Sequence, residues 1–173
     1  FGYQKTSYNW RVATIPLGVG GRAYGGVAIT QKLVDAFAMD TEHGGRYPIT
    51  GYQADGSPVI DPQSGYDESG FTSFTHPILG STKSTYNMYL NREPRFYAHL
   101  AFDGSIWWLK NGPSDSDENT WTVKARVGGG QSRLGAYNYS VTGYWCKKLV
   151  NYKFKLTTGG SGFTAERYPW PEL

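Results

Sequence analysis

Apolar and polar positions change period several times along the chain, and each change predicts an element. Ile29, Leu33 and Phe37 recur every four residues, with Val34 beside them. That is one stripe of a helix over Thr30–Phe37. Thr30 supplies an N-cap hydroxyl, and Ile29 with Val34 a hydrophobic staple. Tyr86–Arg92 reads as a second short helix. It must stop there, because Pro94 disfavours helical backbone at Glu93. From Phe96 the period is two. Phe96, Ala98, Leu100 and Phe102 point one way; Tyr97, His99 and Ala101 point the other. Asp103-Gly104 is a type I′ turn signal, and Ser105–Leu109 the return strand. In that register Leu100 faces Trp107 and Ala98 faces Leu109. Trp107 then joins an apolar set with Phe96, Leu100, Phe102 and Leu109, and is expected in the core. Trp108 falls on the more polar face, with Tyr97, His99 and Ile106.

The other runs are briefer. Val12-Ala13-Thr14-Ile15, ended by Pro16, reads as a short strand. Asp55-Gly56 separates Tyr52-Gln53-Ala54 from Ser57-Pro58-Val59-Ile60 as a small hairpin, with Pro58 confining its second arm to an edge. Trp121–Val127 alternates like a strand until Gly128-Gly129-Gly130. Thr142–Val150 is strand-like. Asp40–Thr82 is long and turn-rich, and a stretch of that kind argues against a compact domain standing alone. The expected fold class is α+β, irregular and loop-rich, with two short helices and a few short strands or hairpins.

Composition agrees. Among 173 residues, Gly 23 and Pro 9 are a heavy load, and charged residues make up 18%, against roughly 25% in an average domain. The net charge of +3 is too small to favour disorder. With 14 Tyr, 8 Phe and 6 Trp, rings must supply most of the packing. No basic block is interleaved with aromatics, so nucleic acid is not an expected partner. No run approaches the length of a membrane-spanning helix. The single cysteine, Cys146, excludes an internal disulfide and reads as a buried, inert thiol.

Catalytic and metal chemistry have no advertised site. His43, His76 and His99 lack metal-ligand spacing. Asp115, Asp117 and Asn119 alternate like the start of a calcium loop, but Thr120 stands where its glycine should. Gly18-Val19-Gly20-Gly21-Arg22-Ala23 fits a dinucleotide pattern formally, yet Tyr24-Gly25-Gly26 follows where a helix should open. Gly159-Gly160-Ser161-Gly162-Phe163 departs from a nucleophile elbow at its last position. Neither a catalytic residue, a metal ligand nor a cofactor is therefore assigned. Trp10, set among Tyr8, Asn9 and Arg11, and Trp108 are the candidates for stacking on a sugar ring. Thr30, Arg92, Pro94 and Arg95 are assigned to structure, the two arginines as donors to helix-end carbonyls and neighbouring loops.

Three segments carry a resemblance. "YNMYLNREPRFYAHLAFDGSIWW" resembles the NRxPRFY segment of the SusD/RagB family. "GGVAITQKLVDAFAM" is similar to that family's glycine pair and "PTQELVDAFEM", with Ala28-Ile29 where proline is frequent. "TGYWCKK" is similar to "TGYxxRKxV", with Lys147 where arginine is common. The resemblance implies a non-enzymatic, surface-exposed outer-membrane lipoprotein. Such a protein binds oligosaccharide or polysaccharide and delivers it to a SusC-like TonB-dependent transporter, meeting the membrane only through an upstream lipid anchor. It also implies that residues 1–173 form a single, incomplete segment of a larger, mainly helical protein whose helical repeat layer lies outside this chain. The competing expectation is a secreted glycan hydrolase or its accessory module, which would share the aromatic richness.

Overall fold

The computed structural model describes residues 14, 25, 27–77, 82–108, 120–132, 140–148, 155–156 and 163–164. The chain forms two compact units, Ile29–His99 and the pair of segments Phe1–Ala28 with Leu100–Leu173. Both are built from short elements joined by turns, so the architecture is the irregular α+β expected.

In the unit Ile29–His99, helix α1 (Gln31–Asp35) begins at Thr30, whose side chain accepts from the Leu33 N–H. Two antiparallel hairpins follow. The first pairs β1 (Ile49–Tyr52) with β2 (Pro58–Ile60) around the Asp55-Gly56 turn. The second pairs β3 (Phe71–Thr75) with β4 (Thr82–Tyr86). One 3-10 turn (Asn87–Tyr89) leads to helix α2 (Pro94–His99). The core is largely aromatic: Phe96 meets Phe37 edge-on at 5.6 Å and Tyr97 at 5.3 Å, while Phe74 stacks on Tyr97 at 5.3 Å. Ile29, Val34, Ala38, Met39 and Tyr89 are buried with them.

Three expectations are corrected here. Phe96–His99 is helix, not strand. Pro94 is the first residue of α2, a position where its missing N–H costs nothing and its fixed φ suits the helix. Phe96 and Tyr97 are consequently both buried, although a strand would have split them between faces. The expected helix over Tyr86–Arg92 is only the 3-10 turn. Leu33 is 47% exposed, so the buried stripe of α1 runs through Val34 instead.

In the other unit, β5 (Leu100–Ala101) pairs with β8 (Trp145–Cys146), β6 (Ile106–Trp108) with β7 (Thr120–Thr122), and β9 (Lys155–Leu156) with β10 (Phe163–Thr164), all antiparallel. Its core contains Leu100, Ala101, Phe102, Ile106, Trp107, Val123, Tyr144 and Trp145. Asp103-Gly104 does form a turn, closed by the Ser105 N–H on the Phe102 carbonyl at 3.0 Å. Only Gly104 has positive φ, so the turn is not type I′. The strands beside it do not pair with each other. Trp107 lies opposite Trp121, not Leu100, and Trp108 opposite Thr120. The turn instead docks on residues 123–126: Val123 exchanges backbone hydrogen bonds with the turn, and Asp103 accepts from the N–H groups of Ala125 and Arg126. Trp107 is in the core despite the wrong register, and so is Ile106, which the alternation had placed on the polar face. Thr14, from the run read as a strand, is helical.

Candidate functional site

Asn91 is the one non-glycine residue with positive φ among the described residues, a conformation its short amide side chain tolerates. The bend at Asn91 is followed by Arg92, whose backbone forms an isolated bridge with Met39. Arg92 is only 2% exposed. Its Nη2 donates to the carbonyls of Val34 at 2.7 Å and Phe37 at 2.9 Å, and its Nη1 to that of Met88 at 3.2 Å. The Val34 carbonyl belongs to the last turn of α1 and also accepts from the Phe37 N–H at 3.3 Å. The guanidinium carbon lies over the ring of Phe96 at 4.9 Å and that of Tyr66 at 5.4 Å. A buried cation is thus neutralised by dipoles and rings. Tyr97 adds a second tie: its hydroxyl accepts from the Arg92 N–H at 3.0 Å and donates to the Tyr89 carbonyl at 2.8 Å. Burial pushes the Tyr97 phenol up to about 12, although the Arg92 N–H and charge pull the other way.

This clasp fixes the base from which the β3–β4 hairpin projects. Phe74 stacks on Tyr97, and Thr85 is fully buried, so this face of the hairpin is turned inward. Strand alternation turns the other face outward. It carries three cross-strand pairs in register: Phe71 with Tyr86, Ser73 with Ser84, and Thr75 with Thr82. The rings of Phe71 and Tyr86 are 4.0 Å apart and tilted by 41°. Phe71 remains 46% exposed. The hydroxyls of Thr75 and Thr82 are 2.7 Å apart. None of the six residues is an acid, a lysine, an arginine or a histidine. Asn87 braces the hairpin's root: its amide donates to Asp67 at 2.8 Å and to the Ser69 carbonyl, and accepts from the Thr72 hydroxyl at 2.7 Å. Hydrogen bonds from Ser69 and Asn87 hold the Asp67 carboxyl below its usual range.

The residues singled out in sequence are distributed unevenly about this clasp. Thr30 and Arg92 serve the two ends of α1. Pro94 opens α2. The Arg95 side chain is 67% exposed and bonds within its own turn, its Nη2 reaching both Glu93 carboxylate oxygens at 2.8 and 3.0 Å. Glu93 in turn accepts weakly from the Ala38 N–H. Trp108 contributes backbone to β6; its side chain, and all of Trp10, lie outside the described residues. No group of three or more metal-ligating side chains gathers among the described residues, and no helix there is long and apolar enough to cross a membrane. The β3–β4 face was missed because Asp40–Thr82 reads as loop. Its signal was present: Phe-Thr-Ser-Phe-Thr and Thr-Lys-Ser-Thr-Tyr are both rich in β-branched and aromatic residues.

The SusD family model matches residues 2–173. The protein BT4246, solved in its selenomethionine form, is 21% identical with a TM-score of 0.61, over 92% of this chain and 25% of its own. A SusD-like protein (BF3747) from Bacteroides fragilis NCTC 9343 is 25% identical with a TM-score of 0.49, over 91% of this chain and 26% of its own. The chain therefore spans about a quarter of the length of these structures. None of the curated proteins matches it. The fold is shared with BT4246, and the family model covers all but the first residue: the chain belongs to the SusD family.

Proposed function

We propose that these 173 residues act as one segment of a longer SusD-like protein that captures oligosaccharide or polysaccharide at the outer-membrane surface and delivers it to a SusC-like TonB-dependent transporter. Its role is binding, not catalysis, and a lipid anchor upstream holds it at the membrane. The observation that carries this reading is the family match over residues 2–173. The outward face of the β3–β4 hairpin is consistent with it: rings can stack on the C–H faces of pyranoses, and hydroxyls both donate and accept.

The test is affinity electrophoresis of the purified full-length protein through gels holding a panel of polysaccharides, with reducing-end release measured in parallel. Retardation by at least one glycan without release of reducing ends is the expected result. A folded protein retarded by none, or one that releases reducing ends, would refute the proposal.

A further inference from the structure

The geometry points to the outward face of the β3–β4 hairpin as a subsite for a neutral, polymeric glycan, with Phe71 and Tyr86 as its stacking platform and the Ser73, Ser84, Thr75 and Thr82 hydroxyls as its polar track. The inference rests on the glycan-capture reading and goes beyond it in naming the surface and the charge class of the ligand.

Four observations converge. The face is one side of a regular antiparallel ladder, and its three outward pairs are in direct register. Its composition is segregated: both rings sit at one end, and only hydroxyls follow along the strands. Two residues of strand rise about 7 Å, so the three pairs run over about 14 Å. That length passes the span of a single sugar ring. Charge is the third point. An acidic glycan would call for an arginine or lysine on the track. Lys83, the cation within these two strands, pairs with Phe74 on the opposite face and is half-buried. Fourth, the face is exposed among the described residues of this chain: Phe71, Ser73, Thr75, Thr82 and Ser84 are exposed and Tyr86 half-buried. A small ligand needs enclosure to reach useful affinity, whereas a chain of repeating units gains from several shallow contacts in series. An open ladder of one ring platform and four hydroxyls fits the second kind of ligand.

The inward face separates function from folding. Phe74 and Thr85 hold the hairpin to the core, so outward residues can be changed with little effect on the fold. Two outward variants of the full-length protein, Phe71→Ala and Ser73→Glu, are compared with the inward-face control Lys83→Ala. Each is checked for an unchanged unfolding midpoint. Probes are starch, xylan and glucomannan as neutral polymers, and homogalacturonan and chondroitin sulfate as acidic ones. The expected result is binding to a neutral polymer, weakened about tenfold or more by Phe71→Ala, about 1.4 kcal/mol, and similarly by Ser73→Glu, with Lys83→Ala unchanged. Neutral-polymer binding that survives both outward variants overturns the subsite while leaving the glycan-capture reading intact. Preference for an acidic polymer overturns the charge assignment. Failure to bind any of the five polymers overturns the subsite, and with it the glycan-capture reading for these classes.

Discussion

Arg92→Ala is the substitution that most directly tests the clasp. The wild-type guanidinium makes three hydrogen bonds to main-chain carbonyls and lies between two rings. Hydrogen bonds to a charged group contribute about 1.5–3 kcal/mol each. The cost of burying the cation offsets a large part of that sum. Truncation, however, does not simply refund the burial cost. It leaves the carbonyls of Val34, Phe37 and Met88 with fewer donors and opens a void beside Phe96. A loss of about 3–5 kcal/mol is expected, the range for breaking a buried charged interaction. Against a typical stability of about 5–15 kcal/mol, that is a large fraction. Arg92→Lys should recover only part of it: a single ammonium cannot serve all three carbonyls and also cover Phe96 and Tyr66. Arg95→Ala is the internal contrast, with an exposed guanidinium and a local ion pair, and should cost under about 1 kcal/mol. Urea unfolding of the three variants, with m held in common, measures all of this. A loss below about 1 kcal/mol for Arg92→Ala, or a larger loss for Arg95→Ala, would refute the reasoning.

Three further outcomes are expected. Trp107→Ala should lose about 3–5 kcal/mol in denaturant unfolding as a large-to-small core change; Trp107→Phe should lose much less, since the buried indole N–H has no partner among the described residues. Tyr97 keeps its proton to about pH 12 when folded but only to about pH 10 when unfolded. Stability should therefore fall as pH rises from about 10 towards 12, less steeply in Tyr97→Phe, as read by unfolding midpoints across that range. Burial pulls Lys147 down from 10.5 to about 7; the unfolded chain thus takes up a proton first, and stability contributed by the neutral amine is lost as pH falls from 10.5 towards 7. Lys147→Met should be more stable than wild type at pH 7, with the gap closing as pH rises to 10; a constant gap would sink the assignment.

The helix at Thr30 was legible because cap, staple and four-residue spacing agreed on one answer. The Asp55-Gly56 hairpin was legible because its turn chemistry is local. Phe96–Phe102 was not, since its seven residues are nearly all apolar or aromatic, so a period of two and a period of 3.6 fit equally well. The decision then fell to Pro94, which ends a helix before it but also starts one. The register error followed from the same choice: a turn was correctly placed, but its partner segment, Thr120–Thr122, is not a sequence neighbour. Arg92 was recognisable as a donor to helix ends, whereas its acceptors Val34 and Phe37, in and just after α1, lie more than fifty residues earlier and only the fold brings them near. The outward face of β3–β4 depends on knowing which side Phe74 buries, which no local pattern states.

Arg92 and Val34 are 58 residues apart in sequence, and the chain between them, both hairpins included, is a loop whose ends meet at the Arg92 side chain and at the Met39–Arg92 backbone bridge beside it. The entropy of closing such a loop rises only logarithmically with its length, about 0.6 kcal/mol per doubling. Lengthening or shortening the loop within this stretch therefore changes the closure entropy of the base very little. Each hairpin can also form on its own, in about 1–10 μs, before the distant ends meet. With its base held by the clasp and its inward face held by Phe74 and Thr85, the outward face of β3–β4 is the part of this stretch whose side chains can be exchanged without renegotiating the fold beneath them.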